Sequence, residues 1–431
     1  MAGQVGHMLM GVADTVMLGR LGATELAASS LVHIIIWVPL VCGIGLLASV
    51  SMRVSQARGA HDTDAAAGAL HHGLWIAGAF GAAMTAGLLA LMPWLHLLGQ
   101  PADVVAAVPA LYVPVALSVL PAMAGMVLKN FADAMERPWP AFWINLGGVL
   151  LNVVLNWIMI FGKLGCPALG LAGAGWATFL ARTATFAAML VWVAGAPGFD
   201  GWRPGRWLAM PSRRLTARLL ALGVPVGLGL LTEVAAFNLA GLMAGWLGTA
   251  SLAAHQIALT CASFTFMVPL GLSMATTVRV GACHGARDHD RLRAVAIGSI
   301  WAGAVVMAVS AAAFLIFGGT ISRWFIGDPQ VCALAAKLLA IAGLFQVFDG
   351  VQVTASGVLR GMHDVRVPAV LAIAAYWVVA LPMAWTAAFF LGWGAAGIWT
   401  GLALGLAVAA AALVARVRRT LGRLEPTGGP A

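Results

Sequence analysis

The octet LGATELAA that begins at Leu21 returns 226 residues later as LGTASLAA at Leu247. Laying residues 19–62 over residues 245–288 gives 13 identities in 44 pairs, and the polar ends coincide as Arg53/Arg279, Gly59/Gly285 and Asp62/Asp288. An apolar bias alone produces matching Leu and Ala, but it does not bring Arg, Gly and Asp into register at one loop. The chain therefore reads as a duplication.

What surrounds the repeat sets the class. Of 431 residues, 61% are apolar and only 9% are Asp, Glu, Lys or Arg, against about a quarter charged in an ordinary soluble domain. So few charges cannot clothe a water-facing surface, and a soluble enzyme, a disulfide scaffold and a nucleic-acid module are set aside. Apolar runs predict spans near 1–19, 27–51, 71–92, 105–135, 140–161 and 171–196 in the first half. In the second half they fall near 219–243, 252–278, 294–317, 331–357, 368–391 and 395–415. The expected fold is an all-α integral membrane protein of twelve transmembrane helices in two six-helix lobes. Because six spans separate equivalent points, both copies enter the membrane in the same direction, related by a pseudo-twofold axis along its normal. The lobes are expected at 1–197 and 215–416, with a linker at 198–214 rich in Gly, Pro, Trp and Arg and a tail at 417–431. The expected lead-in before the first helix is absent, so the chain is read as starting inside that helix.

Charge fixes the expected orientation. Nineteen Lys and Arg fall in alternate loops and the tail, three on the opposite side (Arg20, Lys163, Arg323), and two, Arg182 and Lys337, within spans. Short cytoplasmic loops collect basic residues, so both termini are expected in the cytoplasm. The net charge of +9 then reflects topology and contact with anionic membrane lipids, with no nucleic acid involved. The five cysteines lie far apart without a C-x-x-C pair and read as packing residues.

Three acids, Asp14, Glu233 and Asp349, lie well inside apolar segments. Each intramembrane charge costs about 2.5–3.5 kcal/mol on insertion scales, roughly 8–10 kcal/mol for three. A chain that keeps them is expected to use them, to handle cations. A low-dielectric site disfavours the ionised carboxyl, which opens the way to proton uptake, and the ionised form attracts an organic cation. Phe237 and Phe345 could offer cation–π surface beside Glu233 and Asp349, and Gln256 a hydrogen bond. In the first half, Asn152 and Asn156 are spaced i, i+4 and share one helical face. With Asp14, and with Thr178 as a further oxygen, they form a hard donor set suited to Na⁺ as readily as to a proton. Asp133 ends the fourth span, beside Lys129 and Glu136, and is a further candidate for binding the cargo if it faces the cleft.

Together these segments resemble the multidrug and toxic compound extrusion (MATE) transporters, in their NorM-type bacterial branch. The resemblance is carried by ADTVMLGRLG at Ala13, GxGLLASVSMRVSQARG from Gly43, LLNVVLNWIMIFGKLG at Leu150, LTEVAAFN at Leu231 and LAAHQIAL at Leu252. It continues through VPLGLSMATTVRVG at Val268, FQVFDGVQVTASGVLRG at Phe345 and YWVVALPMAW at Tyr376, covering nearly the whole chain in order. It implies a bacterial inner-membrane antiporter, acting as a single copy, that expels cationic drugs against inward Na⁺ or H⁺ flow and needs no cofactor. It also implies that the family's first-lobe aspartate, fifth-helix asparagines, seventh-helix glutamate and tenth-helix aspartate correspond to Asp14, Asn152 and Asn156, Glu233 and Asp349.

Other readings have less to stand on. A lipid-linked oligosaccharide flippase shares the two-lobe plan, but its pyrophosphate cargo asks for basic residues in the cleft, and Arg182 and Lys337 are the only candidates. The chain has no H-E-x-x-H and no G-x-S-x-G with plausible partners to suggest an enzyme. It has no G-x-x-x-x-G-K-[ST] loop to suggest ATP-driven pumping.

Overall fold

The computed structural model of the protein describes residue 14, residues 17–207 and residues 209–424. Among these residues, eleven helical segments are long and apolar enough to cross a membrane, each overlapping one of the spans read from the sequence. The remaining predicted span, 1–19, lies outside the described residues except for Asp14 and residues 17–19, as does the tail beyond Leu424. The architecture is all-helical.

The first helices are α1, Ala23–Gly59, α2, Thr63–Leu91, continued by a 3₁₀ turn over Met92–Leu98, and α3, Ala102–Leu117. Then come α4, Val119–Ala134, α5, Pro138–Phe161, and α6, Gly170–Gly195. After the linker follow α7, Arg213–Trp246, α8, Thr249–Gly285, α9, His289–Phe325, and α10, Pro329–Gly361. The last are α11, Arg366–Ala374, α12, Leu381–Trp385, and α13, Gly394–Gly422. One span combines α3 and α4, and another runs from α11 through α12 to Phe390.

The duplication is visible in the backbone. Helices α1 and α8 are both 37 residues long, with ends displaced by the same 226 positions found in the sequence. The residues that close them, His61 and Arg287, both adopt left-handed conformations, at φ 56° and 57°. The aligned aspartates then have a physical role. Asp62 accepts a hydrogen bond from the Ala65 backbone N–H at 2.9 Å and Asp288 one from Arg291 at 3.0 Å, each capping the next helix. The same loop chemistry thus starts α2 and α9.

Prolines break two spans where their missing N–H removes a ladder bond. Pro121 lies just past the junction of α3 and α4 at the buried Ser118. Pro382 opens α12, between π-helical turns at Ala375–Ala380 and Thr386–Phe390. A proline ring clashes with the carbonyl four residues back, and widening the helix into a π turn relieves that clash.

The chain divides into two compact units, with the boundary inside α7 between Gly227 and Leu228 and with Gly59–His61 grouping with the second. In the first unit, α6 packs against α3, α4 and α5, and α2 against α4. In the second, α10 is the hub, packing against α8, α9 and α13. Close helix approach in the second unit depends on Gly397, Gly401 and Gly405, spaced four apart on α13. A Cβ at Gly401 would collide with the Ala384 backbone, and one at Gly397 with the peptide between Ala387 and Ala388. Small residues at such crossings let helix backbones meet in a membrane.

Gly401→Leu is expected to destabilise the protein by about 1–3 kcal/mol through overpacking. Gly78→Ala, on α2 with open space where the methyl would go, is expected to raise stability by about 0.5–1 kcal/mol. Thermal melting of the two variants in detergent would move in opposite directions.

Candidate functional site

In the first unit the acid and amides predicted from the sequence come together. Asn152 and Asn156 are fully buried on α5, and Asp14 is 8% exposed. The Asn156 side-chain amide donates to Asp14 Oδ1 at 2.5 Å and to Asn152 Oδ1 at 3.1 Å. Asn152 in turn donates to Thr178 Oγ1 at 3.4 Å, and the Thr178 hydroxyl donates to the Ala174 carbonyl on its own helix, α6. Glycine allows α5 and α6 to lie this close. A Cβ at Gly173 would sit 2.6 Å from the Met159 carbonyl oxygen, and one at Gly148 would strike the Thr185 hydroxyl. Asn156 directs one donor at the Asp14 carboxyl, and its own Oδ1, fully enclosed, has no partner among the described residues.

The second unit assembles a site of different chemistry. Tyr376 donates its hydroxyl to Glu233 Oε1 at 3.1 Å, and the adjacent Trp377 donates its indole N–H to the Thr232 carbonyl at 3.3 Å. Two consecutive residues of one π turn therefore tie α7 to the span that begins with α11, and such turns recur at functional positions. Asp349, on α10, is buried and lies within electrostatic reach of Glu233. Rings close the other side. Phe237 meets Phe345 edge to face at 5.9 Å and Tyr376 at 6.1 Å, and Phe345 meets Trp399 at 5.7 Å. Trp399 then meets His255 at 5.7 Å. Two carboxyls beside a continuous aromatic wall suit a flat or soft cation, by charge and by cation–π contact.

None of the five ion pairs found among the described residues involves Asp14, Glu233 or Asp349. The nearest guanidiniums are engaged elsewhere. Arg182 donates to Ser118 Oγ at 2.8 Å, and Arg360 to Ser273 Oγ at 2.9 Å. Among the described residues, then, no arginine forms an ion pair with any of the three acids.

Two sequence candidates stand apart from these clusters. Asp133 is held in an i, i+4 ion pair with Lys129 at 2.6 Å at the end of α4. Gln256 is exposed, whereas its neighbour His255 is the buried polar residue of the LAAHQIAL segment. Sequence reading passed over His255, Tyr376 and Trp399 as participants. Tyr376 carried a signal, being one of only two tyrosines in the chain, with a hydroxyl inside an apolar run. His255 was overshadowed by the amide beside it, and only the turn of α8 distinguishes their directions.

Residues 1–158 and 225–386 match the MatE family profile. Proteins named "Probable multidrug resistance protein NorM" are similar over nearly the full length. The one from Bradyrhizobium diazoefficiens is 37% identical, covering 98% of this chain and 91% of its own. The one from Pseudomonas aeruginosa is 38% identical, covering 99% and 88%. Among solved structures, "Crystal structure of MATE in the bent conformation" superposes with a TM-score of 0.91 at 21% identity, over 98% of this chain and 93% of that one. A eukaryotic MATE transporter, AtDTX14, superposes at 0.85 with 19% identity, over 98% and 96%. These structural likenesses show the fold, and the sequence matches show the lineage: the chain belongs to the MatE family, in the bacterial NorM-type branch of MATE transporters.

Proposed function

We propose that the protein exports cationic small molecules by secondary antiport, exchanging an organic cation for inward Na⁺ or H⁺ at its buried carboxyls. The observation that carries this reading is the second-unit site, where Glu233 and Asp349, in no ion pair among the described residues, lie with the Phe237, Phe345, Tyr376 and Trp399 rings. The names of the NorM relatives support multidrug cargo. Soft aromatic walls accept many flat cations because they impose charge and thickness with few directional bonds.

Exchange follows from shared charge. A cation or proton on one carboxyl lowers the affinity for a second positive ligand, so loading one releases the other. Direction comes from different affinities in outward-open and inward-open states, the alternation assigned here to the two units. In this reading the protein works as a single copy in the bacterial inner membrane; its basic-residue bias supports cytoplasmic termini, and its arginine-rich ends would meet anionic lipid headgroups. A flippase reading finds less support. Lys337 is exposed, and the guanidinium of Arg182 is occupied by Ser118.

Ethidium or fluoroquinolone efflux from cells expressing Glu233→Gln or Asp349→Asn is expected to fall at least tenfold relative to the parent. Unchanged efflux in both variants would refute the assigned roles. Tyr376→Phe removes a hydrogen bond to a charged acceptor, worth about 1.5–3 kcal/mol, and is expected to weaken cation affinity about tenfold with the fold intact, read by equilibrium binding of a fluorescent cation. Proteoliposomes driven by an imposed Na⁺ gradient, then separately by a pH gradient, identify the coupling ion, with transport expected under one gradient and not the other.

A further inference from the structure

The joint between the linker and α7 hangs on three side chains of α2. His71 donates from Nε2 to the Ala209 carbonyl at 2.9 Å, and the Trp75 indole N–H, one turn further on, donates to the same oxygen at 3.0 Å. His72 holds the chain three residues later, where its Nε2 accepts the Ser212 backbone N–H at 2.9 Å. On the other side of the ring, His72 Nδ1 lies 2.7 Å from the Gly68 carbonyl oxygen. Both imidazoles are buried. Ser212 immediately precedes α7, and its carbonyl accepts the Thr216 N–H at 3.0 Å, so the bond to His72 sits at the root of that helix.

These partners allow His72 one protonation state. A carbonyl only accepts, so Nδ1 carries the hydrogen, and a backbone N–H only donates, so Nε2 must keep its lone pair. A second proton would turn Nε2 into a donor aimed at a donor. His71 is under no such constraint, because its Nε2 donates whether the ring is neutral or charged.

The surroundings give a charged His72 no compensation. Residues 201–232, the linker's end and the first half of α7, contain five arginines and neither Asp nor Glu. On α4, which packs against α2, Lys129 and Asp133 are paired with each other. On α3, Asp103 accepts from Thr24, and the Tyr112 hydroxyl donates to the Leu88 carbonyl. His96, in the 3₁₀ turn, is bound to the Pro93 carbonyl. On α1, whose Val50 lies against Gly73, Arg53 is bound to Gln56 and Arg58 to Glu136. On α2 itself, Asp62 caps the helix, Asp64 lies in its first turn, and the His71 ring meets His72 edge on at 5.0 Å. None of the five ion pairs found among the described residues includes His72.

The linker's other end is held by contacts that do not titrate near neutrality. Phe199 is fully buried, with Phe131 at 5.4 Å, Trp192 at 5.0 Å and the Arg137 guanidinium 5.6 Å from its ring centre.

We infer that His72 is a pH-sensitive latch: its neutral ring holds the linker's end and the start of α7 on α2, and a proton on Nε2 releases them while Phe199 keeps the linker's beginning in place. Imidazole is the side chain whose charge ordinarily changes between about pH 5 and pH 8, so the latch is closed at the upper end of that range and open at the lower. On the orientation proposed above it faces the cytoplasm and responds to the acidity of the compartment the cargo leaves. It holds whichever ion is exchanged.

A nitroxide on Met210→Cys reads the latch in the purified full-length protein, because that position is 88% exposed and lies between the two held residues. Cys166, the exposed native cysteine, is changed to Ser. The label is expected to be immobile at about pH 8, with the mobile fraction rising severalfold by about pH 5. His72→Gln, whose side-chain oxygen accepts the Ser212 N–H at any pH in this range, should keep it immobile throughout, and His72→Leu should leave it mobile throughout. His71→Gln should keep the parent's pH response. A parent spectrum that does not change with pH would overturn the proposal, as would the same rise in His72→Gln. Should His72→Leu fail to fold by thermal melting, the parent and His72→Gln still decide. The spectra are taken at equilibrium without a gradient, so their outcome is separate from that of the efflux measurements.

Discussion

A carboxyl carried into an apolar helix bundle must be met by a positive charge, by hydrogen-bond donors or by a proton, because water is not there to solvate it. Among the described residues, none of the three such groups in this protein is given an ion pair. Asp14 receives an amide donor from Asn156, Glu233 a phenol from Tyr376, and Asp349 sits close to a second acid. Each arrangement holds the acid in place while leaving its charge incompletely answered. That residual demand is what the exchange proposed above would use. It also explains why the nearby arginines hang on serine hydroxyls: a direct pair would satisfy the carboxyl and remove its affinity for anything else.

The helical frame supplies the geometry that this chemistry needs. Glycines at the α5–α6 crossing bring Asn152 within reach of Thr178, and glycines along α13 bring it against the Pro382-containing span. That span is itself irregular. Its π turns direct Tyr376 and Trp377 at consecutive groups of α7, so a local departure from ideal helix geometry sets the position of the Glu233 carboxyl. Proline and glycine here shape function because each alters how near two backbones come or which way a side chain turns.

Duplication produced similar scaffolds with unlike contents. The helix ends and aspartate caps of α1 and α8 repeat at a fixed displacement, since they depend only on local sequence. The acid clusters do not repeat. One half holds a carboxyl with amides, and the other holds two carboxyls with aromatic rings. Divergence of the interior on a repeated frame leaves the two halves with different donors and surfaces.

Composition, hydropathy and the 226-residue repeat determined the membrane class, eleven of the spans and the repeated helix boundaries, because all of these depend on the chain's local chemistry and on its length relative to a bilayer. The pairing of Asn152 with Asn156 was legible for the same reason, as four residues are one helical turn. Three acids in apolar runs also announced themselves by their cost. The tertiary structure alone decided their partners. Tyr376 and Glu233 lie 143 positions apart, as Asn156 and Asp14 lie 142 apart, and no periodicity links such distances. It decided too that His255 turns inward while Gln256 does not, and that Arg182, a basic residue in a span, donates to Ser118, 64 positions away. Those outcomes depend on which helix faces meet, and that is set by the packing of whole helices against one another.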